Sequence, residues 1–401
     1  MQRTNTIRLM PTKNQIKMLK EMMYLSSCVY NMTNYIVRNQ FFNKEKVSSF
    51  FDLQQQIQYK EDYQMLGRSY GLPRIQQYSE TNNARFKLIK SKRQKHVGLP
   101  KYYKNRKTNT TIPSHLLIDN SQYSIKKNYI CIPLSRQMRK KYHIGKTFKI
   151  KYNGILKHKG KQQRGQIHFK DNKFYMYQSV EIIDKPIKDT NIKAGVDIGI
   201  KRFLSIFINN NNDKIIGSKR FLRQWKYLTG LIEKEQRKIN LIGKRVSNKL
   251  IKLYRDRTKY QNNLFNNIVA KMMRVLVRNN VSELYIGDVK GIRNQNKKSK
   301  ICNQMINNYW SFDKLYSKIE NKCQEFGINF IKITEEYTSI TCPICGNRDK
   351  SNCKDRIFVC SDCDYIEHRD IVGARNILTK GMCDLRTSTH WVEVNPLEVI
   401  I

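Results

Sequence analysis

Two Cys-x-x-Cys pairs, Cys342-Pro-Ile-Cys345 and Cys360-Ser-Asp-Cys363, stand fourteen residues apart near the end of the chain. Each pair puts two thiolates on one side of a tight turn. Two such knuckles facing one another offer the tetrahedral sulfurs that zinc takes. The residues between them must then fold back as a small ribbon, whatever their own propensities. Gly346, directly after the first knuckle, suits the turn. Four thiolates close the coordination sphere, so the predicted Zn²⁺ is structural, one ion per chain. Cys353, inside the loop, is not expected among its ligands. Five other cysteines (Cys28, Cys131, Cys302, Cys323 and Cys383) are scattered. They read as reduced thiols, because the opening Met-Gln-Arg-Thr-Asn-Thr-Ile lacks a secretory apolar stretch.

Lysine and arginine number 76 against 32 aspartates and glutamates, a net charge of +44 over 401 residues. That excess argues against an enzyme for small neutral substrates and points to a polyanion, nucleic acid first. A membrane surface fits less well, because the charge runs along the whole chain and not along one amphipathic segment. No stretch approaches the ~20 apolar residues of a membrane span. With 39% hydrophobic and 10% aromatic residues, this is no disordered basic tail. The length predicts two or three domains of about 150 residues.

Residues 5–10 read as a short strand ended by Pro11. Thr12 and Gln15 then form a capping box, and Ile16, Leu19, Met23, Cys28, Met32 and Ile36 recur at helical spacing. Helical sequence continues to Lys95, with an interruption expected at Gly71-Leu-Pro73. Between 97 and 185 the texture changes to clustered β-formers at 129–133, 147–152, 166–170 and 173–177, parted by turn residues. This predicts a small antiparallel barrel or sandwich with the helical segment inserted after its first strand. A linker follows at 186–193. Beyond it come strands at 194–198, 203–208 and 214–217, a long basic helical stretch over 219–279, and a strand at 283–287. A helix at 312–326, a strand at 329–333 and, after the knuckles, a helix at 369–379 complete the module. That order is the order of a ribonuclease-H-like domain. The polar tract at 294–300 reads as a loop, and Trp225 and Trp310 as core. The predicted fold class is α+β and multidomain.

Acids gather at the ends of these strands. Asp197 ends Ala-Gly-Val-Asp in an apolar strand, where a lone carboxylate is costly unless paired, hydrogen-bonded or metal-bound. Asp288 ends Tyr-Ile-Gly-Asp, Glu335 and Glu336 follow Ile333-Thr334, and Asp370 opens the last helix in His368-Arg-Asp. In this topology the ends of the first, fourth and fifth strands and the start of the last helix converge. Carboxylates there can hold two cations ~3.5–4 Å apart and hydrolyse phosphodiesters. Hard oxygen donors suit Mg²⁺. The plain structural alternatives are a hydrogen-bonded Asp197 and a helix-capping Asp370.

Five segments together carry a resemblance: Ile7-Arg-Leu-Met-Pro-Thr-Lys-Asn-Gln15, Val196-Asp-Ile-Gly199, Gly287-Asp-Val-Lys290, Tyr337-Thr-Ser-Ile-Thr-Cys-Pro-Ile-Cys-Gly346 and His368-Arg-Asp370. With them the chain resembles, over nearly its whole length, the TnpB family of transposon-encoded RNA-guided nucleases and the related Fanzor proteins. The resemblance implies a wedge-like β-barrel (1–11 and 97–185) with an inserted helical recognition domain (12–96) and a linker (186–193). It further implies a RuvC-like nuclease domain (194–337 and 367–380) interrupted by a zinc ribbon (338–366), and a tail (381–401). Such proteins bind a guide RNA made from the transposon end and a double-stranded DNA target beside a short motif. They cut both strands with one Mg²⁺-dependent centre, base pairing reading the sequence. The setting is the cytoplasm and nucleoid for a prokaryotic member and the nucleus for a eukaryotic or viral relative.

By the resemblance Asp197 is the first catalytic metal ligand and Asp370 the third. The middle ligand departs from the commonest pattern, because many relatives have Glu-Asp where this chain has Gly287-Asp288. Some relatives supply the glutamate from the fifth strand. Glu335 shares the strand face of Ile331 and Ile333 and is the expected middle ligand, with Glu336 and then Asp288 as alternatives. Gln76, Gln77, Asn83 and Lys87 resemble the recognition-helix stretch that approaches the target-adjacent motif. Two other readings remain open: a guided DNA-binding repressor that no longer cuts, and an RNA-independent transposase.

Overall fold

The computed structural model describes residues 1–90, 97–145, 147–199, 202–210, 212–217, 219–289, 311–354, 356–383 and 398–400. Lys290, the tract at 294–300, Cys302, Trp310 and the tail at 384–397 lie outside the described residues. The chain divides into two compact units, residues 1–183 and 184–401.

The first unit is a curled antiparallel sheet with helices inserted after its first strand. Its strands are β1 (Gln2–Leu9), β2 (Leu116–Ile118), β3 (Ser124–Ile125), β4 (Tyr129–Pro133), β5 (Thr147–Asn153), β6 (Lys161–Lys170) and β7 (Lys173–Glu181), in the spatial order β2-β6-β7-β1-β5-β4-β3. Asn5, Ile7 and Leu9 of the central β1 point inward at period two. Four helices separate β1 from β2: α1 (Lys13–Phe42), α2 (Phe50–Ile57), α3 (Glu61–Leu66) and α4 (Arg68–Lys90). A fifth, α5 (Arg136–Tyr142), is capped by Ser135 and takes up the first basic run. The Thr12–Gln15 capping box opens α1, with bonds of 3.1 and 3.4 Å. Helix faces and the inner sheet face share one core, in which Ile7, Leu19, Val29, Tyr78, Ile150 and Met176 are fully buried.

The interruption expected at Gly71-Leu-Pro73 is not there. The chain breaks at Gly67, whose φ of +89° ends α3, and α4 then runs straight through Pro73. Pro73 falls in the second turn, where its missing N–H removes one helical bond. Burial of Tyr70, Ile75, Tyr78 and Phe86 along the same helix outweighs that loss.

The second unit contains strands β8 (Lys193–Ile198), β9 (Arg202–Ile208), β10 (Lys214–Gly217), β11 (Glu283–Asp288) and β12 (Asn329–Thr334), with β16 (Glu398–Ile400) at the edge. Their order is β12-β11-β8-β9-β10-β16. β11 is parallel to both β8 and β12, and β9 is antiparallel to β8 and β10. The expected basic helical stretch is two helices, α6 (Lys219–Leu241) and α7 (Asn248–Arg278), parted by a turn at Gly243 with φ +64°. α7 and α8 (Phe312–Phe326) cover one sheet face, burying Val196, Leu284 and Ile286 against Phe265, Ile268 and Leu315. α9 (Arg369–Cys383) covers the other, where Ile377 and Leu378 meet Tyr285 and Ile333. Between β12 and α9 the cysteine ribbon forms its own sheet of β13 (Cys353–Lys354), β14 (Ile357–Val359) and β15 (Ile366–His368). Among the described residues no helix is long and apolar enough to cross a membrane.

Candidate functional site

Strand alternation decides which side chains of the second unit meet α9. On β8 the α9 face carries Gly195 and Asp197. A Cβ at Gly195 would stand 2.1 Å from the Ala374 carbonyl oxygen, so only glycine lets α9 lie this close to the strand. That closeness brings Asp197 against the first turns of α9, its Oδ2 3.1 Å from where a Cβ on Gly373 would be. Asp370 opens the same helix. On β12 the face of Ile331 and Ile333 continues to Glu335, just past the strand end.

Glu335 occupies the space that residue 287 leaves empty. An ideal Cβ on Gly287 would lie 2.1 Å from the Glu335 Oε1 and within 2.7 Å of two further atoms of that side chain. The glycine and the glutamate are therefore two halves of one packing solution. Oε1 of Glu335 is buried and makes no hydrogen bond within the protein. Burial first, then the charges of Asp197 and Asp288, push the Glu335 carboxyl up to about 8. Asp197 is pushed up to about 6, by burial and then by Asp370. Acids gathered with so little solvent, one with an oxygen lacking any donor, fit a cation that supplies the missing positive charge.

Asp370 is held differently. Its Oδ2 lies 3.4 Å from Nη1 of Arg202 and 3.3 Å from Nη1 of Arg356, and its Oδ1 3.9 Å from Nε of Arg369. Its backbone N–H donates to Nδ1 of His368 at 3.2 Å. Thus Glu335 feels the charge of Asp197, Asp197 feels that of Asp370, and Asp370 also faces a cationic rim. The three carboxylates share one end of the sheet but not one tight ligand sphere, since among the described residues only the cysteines form such a cluster. Glu336 is exposed, and Asp288 ends β11 opposite Thr334.

The sulfur cluster is compact. Sγ atoms of Cys342 and Cys363 are 3.6 Å apart and those of Cys345 and Cys360 3.4 Å, with all four within 4.8 Å of one another. Thiolates ~2.3 Å from a tetrahedral zinc stand about 3.8 Å apart, so the cluster fits that ion with little movement. Cys353 turns its thiol to the Ser339 carbonyl, 2.8 Å away. Cys342, Cys360 and Phe358 pack around Val372 of α9, two residues beyond Asp370.

In the first unit, Gln77 accepts from the buried Arg74 at 2.7 Å. Gln76 accepts from Arg164 at 2.9 Å and donates to Glu80 at 2.9 Å. Lys87 is exposed, and Asn83 lies on α4 with its side chain outside the described set. Arg202, Arg356 and Asn376 also border the site and belong to no sequence motif of metal ligands. Nothing in the sequence marks an arginine as an aspartate's neighbour 168 positions away.

A ribonuclease-H-like sheet with acids at its strand ends, joined to a four-cysteine ribbon, is the fold of a RuvC-like domain. Residues 175–293 match a family model described as "Probable transposase", and residues 312–377 match the "Cas12f1-like, TNB domain" model. A TnpB-like protein of Acidianus two-tailed virus is 24% identical over 421 residues, covering 95% of this chain and 87% of that one. A "Putative transposase" of Methanocaldococcus jannaschii is 35% identical over 78 residues, 18% of this chain and 72% of its own length. The chain belongs to the TnpB family of transposon-encoded nucleases. In fold it is similar to Cas12f1 in a complex with single-guide RNA and target DNA, with a TM-score of 0.61 at 16% identity, covering 91% of this chain and 83% of that one. It spans 39% and 50% of the Cas12f1 endodeoxyribonucleases of an uncultured archaeon and Sulfoacidibacillus thermotolerans.

Proposed function

We propose that the protein is an RNA-guided, Mg²⁺-dependent DNA endonuclease. It binds a guide RNA derived from the transposon end, recognises a short motif beside a double-stranded target, and cleaves by two-metal phosphodiester hydrolysis. The observation that carries this reading is the gathering of Asp197, Glu335 and Asp370 at one end of the sheet, with a Glu335 oxygen buried and unpartnered. The similarity to a Cas12f1 complex with guide RNA and target DNA supports the partners. The bound ions would activate water and stabilise the leaving oxygen. Asp197, Glu335 and Asp370 would hold them, while the cysteine-bound Zn²⁺ keeps the ribbon folded. We assign the wedge to 1–11 and 97–185, recognition helices to 12–96, the nuclease domain to 194–337 and 367–380, and the ribbon to 338–366. On α4, Lys87 with Gln76, Gln77 and Asn83 are the candidates for reading the target-adjacent motif.

The test is cleavage of a plasmid target by protein purified with its guide RNA in Mg²⁺. Asp197→Ala, Glu335→Ala and Asp370→Ala are each expected to abolish cutting while guided binding persists. Cutting that survives Asp197→Ala or Asp370→Ala overturns the two-metal account. Full activity in Glu335→Ala with loss in Glu336→Ala or Asp288→Ala moves the middle ligand. A wild-type chain that binds a guided target without cutting is the repressor, and one that cuts and joins without RNA is the transposase.

A further inference from the structure

The turn that carries Glu335 out of β12 is closed by its own hydrogen bonds, from Thr338 to the Glu335 carbonyl and from Ile340 and Thr341 to the Tyr337 carbonyl, and is tied from outside as well. Residues 335–341 leave the sheet with Tyr337 at φ +64°, a left-handed conformation that non-glycine residues keep only where surrounding contacts impose it. Two such contacts reach the turn from elements that follow it in the chain. The buried Asn376 side chain of α9 donates from Nδ2 to the carbonyl oxygens of Thr338, at 2.7 Å, and Thr341, at 2.8 Å. The amide nitrogen is the donor end of asparagine, so two carbonyl partners fix its orientation. From the ribbon, the Cys353 thiol donates to the Ser339 carbonyl at 2.8 Å.

Thr338 passes the restraint on. Its hydroxyl donates to the Glu335 carbonyl oxygen at 2.9 Å, and its backbone N–H reaches the same oxygen at 3.3 Å. The path from α9 to Glu335 is therefore two hydrogen-bonded links long. Thr341, the other carbonyl on Asn376, immediately precedes the zinc ligand Cys342. Asp370 sits six residues before Asn376 on the same helix, fewer than two turns away.

We propose that Asn376 is a positioning residue for the carboxylate site, and that Cys353 assists it from the ribbon. Asn376 fastens the Glu335 turn to the helix that carries Asp370, so one rigid element sets the spacing of two carboxylates that precede and follow the ribbon in the chain. This rests on the reading of Glu335 as a metal ligand. Groups hydrogen-bonded directly to a ligand typically change metal affinity 10–100-fold when removed, and Asn376, two links back, is expected to act at the lower end of that range.

Mn²⁺ binding to the full-length, zinc-loaded protein, followed by the paramagnetic resonance of free Mn²⁺, tests it without reference to cleavage. Asn376→Ala is expected to keep one zinc per chain and the wild-type circular dichroism, and to weaken the Mn²⁺ site about 10-fold. Cys353→Ala is expected to weaken it several-fold. Cys353→Ser, whose hydroxyl can still donate to Ser339, is expected to restore it. Glu335→Ala is the reference. If it leaves Mn²⁺ binding intact, Glu335 is no ligand and the reading of the site fails. If Glu335→Ala loses the ion but a folded Asn376→Ala binds it as wild type does, the positioning role alone is overturned. Should Asn376→Ala fail to fold, the cysteine pair decides, and equal affinity in Cys353→Ala, Cys353→Ser and wild type overturns the proposal.

Discussion

Gly287 matters for the side chain it lacks. Any Cβ there would meet the Glu335 carboxylate at 2.1 Å, inside the contact distance of real atoms. A side chain at 287 and a carboxylate of Glu335 in its present place exclude one another. Gly287→Ala is therefore expected to displace Glu335 and cut both cleavage and divalent-cation affinity about 10–100-fold, with the melting curve little changed. An alanine variant with the wild-type rate would show that the carboxylate acts from elsewhere. In the first unit His115 offers a different single-residue test. Its Nε2 lies 3.2 Å from Nη1 of Arg74, and its ring stacks on His168 with centroids 4.8 Å apart. Burial, then Arg74, then His168 push its pKa from the ordinary 6.5 down to about 3. The unfolded chain therefore takes up this proton first, and stability that is complete above pH 6.5 is lost as pH falls toward 3. The unfolding midpoint is expected to drop across that window, and His115→Gln to flatten the drop. Parallel pH curves for the two proteins would remove His115 from the account.

At the scale of elements the cysteine ribbon is both the most readable piece and the most dependent one. Its strands are two or three residues long, far too short to stand alone, and its core is Cys342, Cys360 and Phe358 on Val372. Structural zinc binding is worth ~10–16 kcal/mol at neutral pH, more than such a core can supply. Metal analysis is expected to find one zinc per chain. Cys342→Ser or Cys360→Ser is expected to release it and open 346–359 to protease. Cleavage should fall too, since Asp370 and the Glu335 turn both border the ribbon. Zinc-free protein with a protected ribbon would contradict this. Local signals made such elements visible in advance. The Cys-x-x-Cys spacing, the Thr12–Gln15 box and the β-former clusters each act within a few residues. At Gly71-Leu-Pro73 the local signal misled, because helix burial against distant residues outweighs one missing bond. Acids at strand ends marked Asp197, Glu335 and Asp370 as candidates. Their environment was not legible, since the void at Gly287, the approach of Arg202 to Asp370 and the Asn376 bonds are made by residues far apart in sequence.

For the whole molecule, charge and chemistry separate, and salt can pull them apart. The net +44 acts through exposed lysines and arginines, which are screened over about 8–10 Å at ordinary ionic strength. Each phosphate neutralised releases a counterion, so a complex with six to ten phosphate contacts loses roughly 10³–10⁵ in affinity between 50 and 200 mM salt. The carboxylates work under other rules. Asp197 and Glu335 are half-buried, where mobile ions screen less than at the surface. Guided DNA binding, measured with Asp197→Ala to prevent cutting, is therefore expected to weaken by at least ~10³ over that range. The single-turnover rate of the first cut by wild type, measured with the DNA already bound and Mg²⁺ saturating, is expected to change far less than that affinity, because the half-buried carboxylates are screened less than the exposed charges. A flat binding curve would leave the charge without its assigned role. A cleavage rate that falls in step with affinity would mean that the catalytic groups are assembled by the same exposed contacts that hold the nucleic acid.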